Sequence, residues 1–285
     1  MTDQDHRALV ERLFPDLEVR TFAPLGDGWT SFTYEVNGEW IVQLPRDDRA
    51  AERLRMQATL LPELAREVSA LVPVPESARD GPPALRYRRL DGHPADASLD
   101  GYWPERLGRF LYDLHSVPPE FVGLRAVPVA TLREGERAEW AAIRAAIAGA
   151  VAGEDLAVLD DLVVRLLDDD ANWTFAPVLA HNDLGPEHVL VDDRGDLVGV
   201  LDWEEAGLGD PVGDFAWWLH EMPSVGDRAL AAYGGAPDRT FRERARLRWS
   251  LMPWHEIHHG VTTDQESHVV EGLRGARARG RFARG

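Results

Sequence analysis

A chain of 285 residues is long enough for one large domain or two lobes, and 44% hydrophobic with 28% charged residues is the composition of a globular protein. A net charge of −18 excludes nucleic acid as an expected partner, because binding phosphate backbones requires a basic face, and the absence of cysteine excludes disulfides, thiolate metal sites and a cysteine nucleophile. No apolar run reaches the length of a membrane span, so no membrane partner is expected.

The N-terminus, MTDQDHRALVERLF, lacks the basic start and apolar core of a signal peptide, and a cytoplasmic location is expected. Residues 3 to 14 read as a short amphipathic helix with Leu9, Val10, Leu13 and Phe14 on one side. A strand over Val19 to Leu25, a turn over Gly26-Asp27-Gly28-Trp29-Thr30 and a strand over Phe32 to Val36 follow. Asn37-Gly38, set between alternating runs, is the strongest hairpin signal in the chain and leads into Trp40-Ile41-Val42. Arg49 to Leu71 reads as one long helix, because Leu54, Leu61, Leu64, Val68 and Leu71 step by three and four. Val72-Pro73-Val74-Pro75 ends it, Ala84 to Leu90 is a further strand, and Asp91-Gly92 breaks the chain.

A helix from Pro104 to His115-Ser116 buries Leu107, Phe110, Leu111 and Leu114, and His115 reads as a helix-end residue. Two Ala- and Leu-rich helical segments, about 131 to 151 and 155 to 170, precede the stretch that organises the whole chain. That stretch is Leu179 to Leu219. Short apolar runs at Val178 to Ala180 and Val189 to Val191, the turn Asp192-Asp193-Arg194-Gly195 and the run Leu197 to Leu201 describe a loop followed by a hairpin. Asp183 lies in the loop, His188 five positions on where the first hairpin strand begins, and Asp202 at the end of the second, so the hairpin folds Asp202 back towards His188.

Phosphoryl transfer needs such a set: a carboxylate to orient a hydroxyl and accept its proton, and two ligands to hold magnesium on a triphosphate. The stretch resembles the aminoglycoside phosphotransferase family of kinase-like small-molecule kinases, with their macrolide phosphotransferase relatives. His188 stands where the kinase metal-binding Asn would be, and Asp202-Trp203-Glu204 where the kinase DFG would be. Two other readings remain: a catalytically inactive kinase-like binding protein, and a metallohydrolase in which His181, Asp183, His188 and Asp202 ligate zinc or a metal pair. The hydrolase reading leaves the first hundred residues unexplained.

The resemblance implies a bilobal, protein-kinase-like α+β fold: an antiparallel N-lobe sheet with one long helix over residues 1–92, and a larger, mainly helical C-lobe over 93–285. It implies transfer of the γ-phosphoryl group of ATP or GTP to a hydroxyl of a small-molecule antibiotic by a monomer, with magnesium, or manganese in its place. Asp183 would be the base, His188 and Asp202 the metal ligands, and His181 and Asp210 supports of the loop. Gly26, Gly28, Ser31, Gln43 and Arg46 would face the nucleotide. The chain contains no lysine, so Gln43 occupies the position of the family's phosphate-binding lysine, and Gln57 that of its glutamate partner. An acidic surface would draw in a cationic acceptor, although solubility alone explains the charge equally well.

After the loop, Asp210-Pro211 is expected to cap a helix holding Phe215, Ala216, Trp218 and Leu219. Helices follow at about 225 to 233, 238 to 260 and 263 to 279. The second of these, with Trp254 and Glu256, and Glu205 before it, would line the substrate cleft. The run Trp254-His255-Glu256-Ile257-His258-His259 lacks the spacing of a zinc protease. The Arg-Gly-Ala tail is expected to be mobile.

Overall fold

The computed structural model describes residues 2–25, 30–99, 101–235 and 237–282. Helix α1 (Asp3–Leu13) starts in a capping box, in which the Thr2 hydroxyl accepts from the Asp5 N–H and the Asp5 carboxylate accepts from the Thr2 N–H. Strands β1 (Phe22–Pro24), β2 (Ser31–Val36) and β3 (Trp40–Pro45) form antiparallel neighbours. The β2–β3 turn has Asn37 at φ 59° and Gly38 at φ 71°. The Asn37 side chain ties the turn to the chain before β1, accepting from the Arg20 and Thr21 N–H groups and donating to the Glu18 carbonyl.

Helix α2 (Asp48–Leu64) is capped by Asp47, and strands β4 (Glu76–Ser77) and β5 (Leu85–Arg88) complete a five-stranded sheet in the order β1-β2-β3-β5-β4. The helix stops seven residues before the end expected from its apolar spacing. Pro62 already removes a hydrogen bond in its last turn, and Leu71, 57% exposed, pairs instead with a distant strand through Leu71 N–H to Val198 and Val200 N–H to Leu71. Gly199 permits that approach, since a Cβ there would lie 2.7 Å from the Leu71 carbonyl oxygen.

The remainder runs β6 (His93–Pro94), α3 (Trp103–Ser116), α4 (Val129–Ile147), α5 (Gly153–Leu167), β7 (Val178–Ala180), β8 (Val189–Val191), β9 (Leu197–Val200), β10 (Gly207–Gly209), α6 (Gly213–Glu221), α7 (Pro223–Ala232), α8 (Phe241–Thr262) and α9 (Glu266–Phe282). The fold is thus α+β and bilobal in the protein-kinase manner, an antiparallel sheet with one long helix beside a larger helical part. A core around α3, α6 and α7 takes in Leu60, Leu61 and Leu64 of α2, so the helix that belongs to the sheet is anchored in the helical part. A second core joins α4, α5, α8 and α9, and a third packs α1 on one face of the sheet. No helix among the described residues is long and apolar enough to cross a membrane.

Two further expectations are corrected. Helix α6 begins at Gly213 with Val212 as its cap residue, two residues later than expected, while the Asp210 carboxylate accepts the Val212 N–H just ahead of it (3.2 Å) and is also held by Arg244. The arginine-rich tail is helical to Phe282: Gly272 lies against Ile257 and the Pro253 carbonyl of α8, Arg277 pairs with Asp155, and Arg279 with Glu221.

Candidate active site

The loop between β7 and β8 and the hairpin β8–β9 bring three residues together. His188 Nε2 lies 3.8 Å from an Asp183 carboxylate oxygen, and His188 Nδ1 lies 4.0 Å from one of Asp202. Glu187, not singled out in the sequence, adds a third carboxylate 3.7 Å from Nε2. Water reaches Asp183, whose side chain is 63% exposed, yet protein surrounds the cleft floor on most sides. That desolvation raises its pKa; His188 and His181 pull it down, and Asp202 and Glu187 push it up again. A carboxylate so poised is suited to accepting a proton.

Asp202 holds φ 60°, a conformation that favours glycine and is retained only where the surroundings impose it. Its neighbours do so. Trp203 is fully buried with its indole N–H donated to the Val200 carbonyl (3.0 Å) and its ring 4.7 Å from that of His181. Burial of such a side chain contributes roughly 4–6 kcal/mol before entropy. Glu204 accepts the Ser31 hydroxyl (2.7 Å), tying this segment to β2, and burial raises its pKa to about 7.

His181 is fully buried. The Asp183 N–H donates to its Nδ1 (3.3 Å), which fixes the proton on Nε2, donated to the Leu201 carbonyl (2.8 Å), so one ring ties the Asp183 loop to the strand ending at Asp202. The stronger brace is Asp214. Its carboxylate accepts from the His181 and Asn182 N–H groups (2.9 and 2.8 Å) and from His115 Nε2 (3.0 Å), while the Tyr233 hydroxyl donates to His115 Nδ1 (2.8 Å). Desolvation pushes the Asp214 pKa up, but the hydrogen bonds from His115 and from the His181 N–H outweigh it and hold the pKa below the usual range. Asp210 is gripped at both oxygens by the buried Arg244 guanidinium (2.7 and 3.1 Å), which also holds Asp238 (2.8 Å). The strand β10 pairs with β7 and closes the frame; a Cβ on Gly209 would lie 2.7 Å from Asn182 Oδ1.

On the sheet, the register Thr33↔Gln43 and Ile41↔Tyr87 puts Ser31, Thr33, Ile41, Gln43 and Tyr87 on one face, opposite the face covered by α1. The Ser31 hydroxyl on this face donates to Glu204, and Asp202 and Glu204 raise the Tyr87 pKa further, after burial, so this face looks onto the segment from Asp202 to Glu204. Gln43 and Gln57 are both buried, and Gln43 Oε1 and Gln57 Nε2 have no hydrogen-bond partner. Arg53, one turn before Gln57, pairs with Glu205. Arg46 lies on the opposite face, 4.0 Å over the Phe32 ring, and is not brought to the cleft. Gly26 and Gly28 lie outside the described residues.

A cavity of about 270 Å³ adjoins the loop, lined by Thr131, Leu132, Glu136, Asn182, Asp210 and Arg248 among others. Its wall is not formed by the expected residues of α8. Trp254 is buried in the second core, and Glu256 faces His268 of α9 at 3.4 Å. The neighbours one and two positions on, His255 and His258, turn towards the cleft acids: the charges of Glu136 and Glu205 act on His255, and that of His258 on Glu139.

The sheet, the long helix and the hairpin-borne acids define a protein-kinase-like phosphotransferase fold. Solved structures share it: the GDP complex of wild-type aminoglycoside 2'-phosphotransferase-IIIa matches with a TM-score of 0.82 over 99% of this chain and 100% of that one at 19% identity. An apoenzyme structure of macrolide 2'-phosphotransferase from Brachybacterium faecium matches at 0.72 over 96% and 98% at 23% identity. In sequence, viomycin phosphotransferase of Streptomyces vinaceus is 29% identical over 96% of this chain and 99% of its own length, and the uncharacterized protein YcbJ of Bacillus subtilis (strain 168) is 28% identical over 81% and 80%. The family model for APH, the phosphotransferase enzyme family, matches residues 21–268. The chain belongs to the phosphotransferase enzyme family.

Proposed function

We propose that this protein moves the γ-phosphoryl group of ATP or GTP to a hydroxyl of a small cationic antibiotic, acting as a cytoplasmic monomer and conferring resistance to that compound. The observation that carries this reading is the convergence of Asp183, His188 and Asp202 beside the cavity at Asn182. Asp183 orients the acceptor hydroxyl and receives its proton as the new oxygen–phosphorus bond forms and the bond to the β-phosphate oxygen breaks. His188 and Asp202 face each other across 4.0 Å, with side chains 17% and 43% exposed, and would be the protein's donors to a divalent cation. Magnesium, or manganese given the imidazole donor, would neutralise charge on the triphosphate there. His181 and Asp210 hold the loop, and residue 92, where Gly92 takes φ 118°, is the boundary between the lobes.

Glu139, whose pKa is raised by burial and by the neighbouring charges of Glu136 and Glu205, and the likeness to viomycin phosphotransferase support a basic acceptor, while Glu136 and Glu205 are already held by Arg248 and Arg53. The hydrolase alternative needs His181 as a ligand, but its Nε2 is spent on the Leu201 carbonyl and its ring is fully buried. A coupled assay of nucleotide consumption against aminoglycosides, macrolides, nucleoside and basic peptide antibiotics tests the reading. Antibiotic-dependent release of ADP or GDP, with phosphate on the drug, is the expected result; binding of nucleotide and drug without turnover would establish the inactive alternative.

A further inference from the structure

The face that would receive the triphosphate has lost the lysine of its family and is lined with acids, Asp202, Glu204 and Glu205, yet a tetra-anionic ligand needs a cation there. Arg46 is turned to the far side of the sheet. On α2, residues 53 and 57 are one turn apart on one helix face, so Arg53 and the buried Gln57 point the same way. The Arg53 guanidinium side chain is 16% exposed, reaches Glu205, and lies close enough to Glu204 for its charge to act on that carboxyl. Beneath it, Gln43 Oε1 and Gln57 Nε2 are buried without partners.

We infer that Arg53 is the phosphate-binding cation of this enzyme, moved from strand β3 to helix α2, and that Glu205 holds it until the polyphosphate displaces that carboxylate. The inference rests on the kinase reading above. A guanidinium suits the task, because its planar fork binds two phosphate oxygens at once. The exchange is also cheap. The Glu205 side chain is 47% exposed, so its carboxylate returns to water when displaced, and the 16% exposed guanidinium keeps an anionic partner in the phosphate. Lysine at β3 and glutamate at α2 would place a charged pair behind the phosphates; here two neutral amides fill that space, and the charge stands one helical turn nearer the chain start.

The test is titration of the full-length protein with ATP in magnesium buffer and, separately, with adenosine, for wild type, Arg53→Gln, Arg53→Lys and Glu205→Gln. Loss of a charge-assisted hydrogen bond to phosphate should weaken ATP binding by roughly tenfold to a hundredfold in Arg53→Gln and leave adenosine binding unchanged. Arg53→Lys should recover part of the loss, and Glu205→Gln should tighten ATP severalfold. Equal weakening of ATP and adenosine would make Arg53 a structural support of α2 and overturn the inference, as would unchanged ATP binding in Arg53→Gln. Failure of the wild-type protein to bind ATP or GTP at all would instead remove the kinase reading itself.

Discussion

The loop that carries Asp183 and the sheet face that carries Gln43 stand on opposite sides of one cleft and are built in opposite ways. The loop's polar groups are paired: Asp214 takes three hydrogen bonds, His181 spends both ring nitrogens, and Asp210 is clamped by a fully buried arginine. The sheet side holds two buried amides with unpaired atoms and an arginine on a half-exposed glutamate. Chemistry that depends on positioning needs the first kind of construction, since the geometry must exist before the substrate arrives. A surface that waits for a polyanion needs the second, because groups already satisfied have nothing to offer a ligand.

If the contrast is real, mutations on the two sides should differ in kind. The largest stability effect belongs to the loop side: Arg244→Met, which takes two guanidinium hydrogen bonds from the buried Asp210 and leaves it only Arg248 at 3.5 Å and the Val212 N–H at 3.2 Å, should destabilise the protein by about 2–4 kcal/mol in urea unfolding. A loss under 1 kcal/mol would mean that the clamp is not what holds the loop.

On the sheet side, Gln57→Glu should cost roughly 1–3 kcal/mol by burying an unpaired carboxylate, and adding Gln43→Lys should recover much of it. Simple additivity in that double-mutant cycle would show that the two side chains do not meet.

The smallest effect concerns the α8 wall. His255 packs tilted against Trp140 with ring centroids 4.8 Å apart, and burial, helped by the charge of His258, lowers its pKa to about 4. Between pH 4 and the ordinary histidine value near 6.5 the unfolded chain binds the proton and the folded chain does not, so this residue makes stability rise with pH across that window and level off above it. His255→Gln should flatten the acid side of a melting-temperature profile by the equivalent of about 1 kcal/mol. An unchanged profile would assign the acid loss to other groups.

The site was legible where chemistry and local pattern coincide. Asp183, His188 and Asp202 were readable because a loop, a turn at Asp192 to Gly195 and two apolar runs fix their relation within about twenty residues, and the Asn37-Gly38 hairpin for the same local reason. The supports were not. Arg244 and His115 reach acids 34 and 99 residues away, and nothing near them in sequence announces those partners. Periodicity misled at α2, because Val68 and Leu71 continue the spacing while Leu71 bonds to β9. At the C-terminus the expected helix is present, but the partners of its arginines, Asp155 for Arg277 and Glu221 for Arg279, lie 122 and 58 residues away and were not legible. On α8 a one-residue error in facing exchanged the buried Trp254 for His255.

The central claim is that a preformed loop carries the phosphoryl transfer through Asp183. Turnover, nucleotide affinity and melting temperature of Asp183→Asn, measured with an acceptor that the wild-type protein phosphorylates, test it most directly. The account predicts a fall in turnover of about 10²–10⁴ with folding and nucleotide affinity little changed. Turnover within a few-fold of wild type in a well-folded Asp183→Asn protein would contradict it.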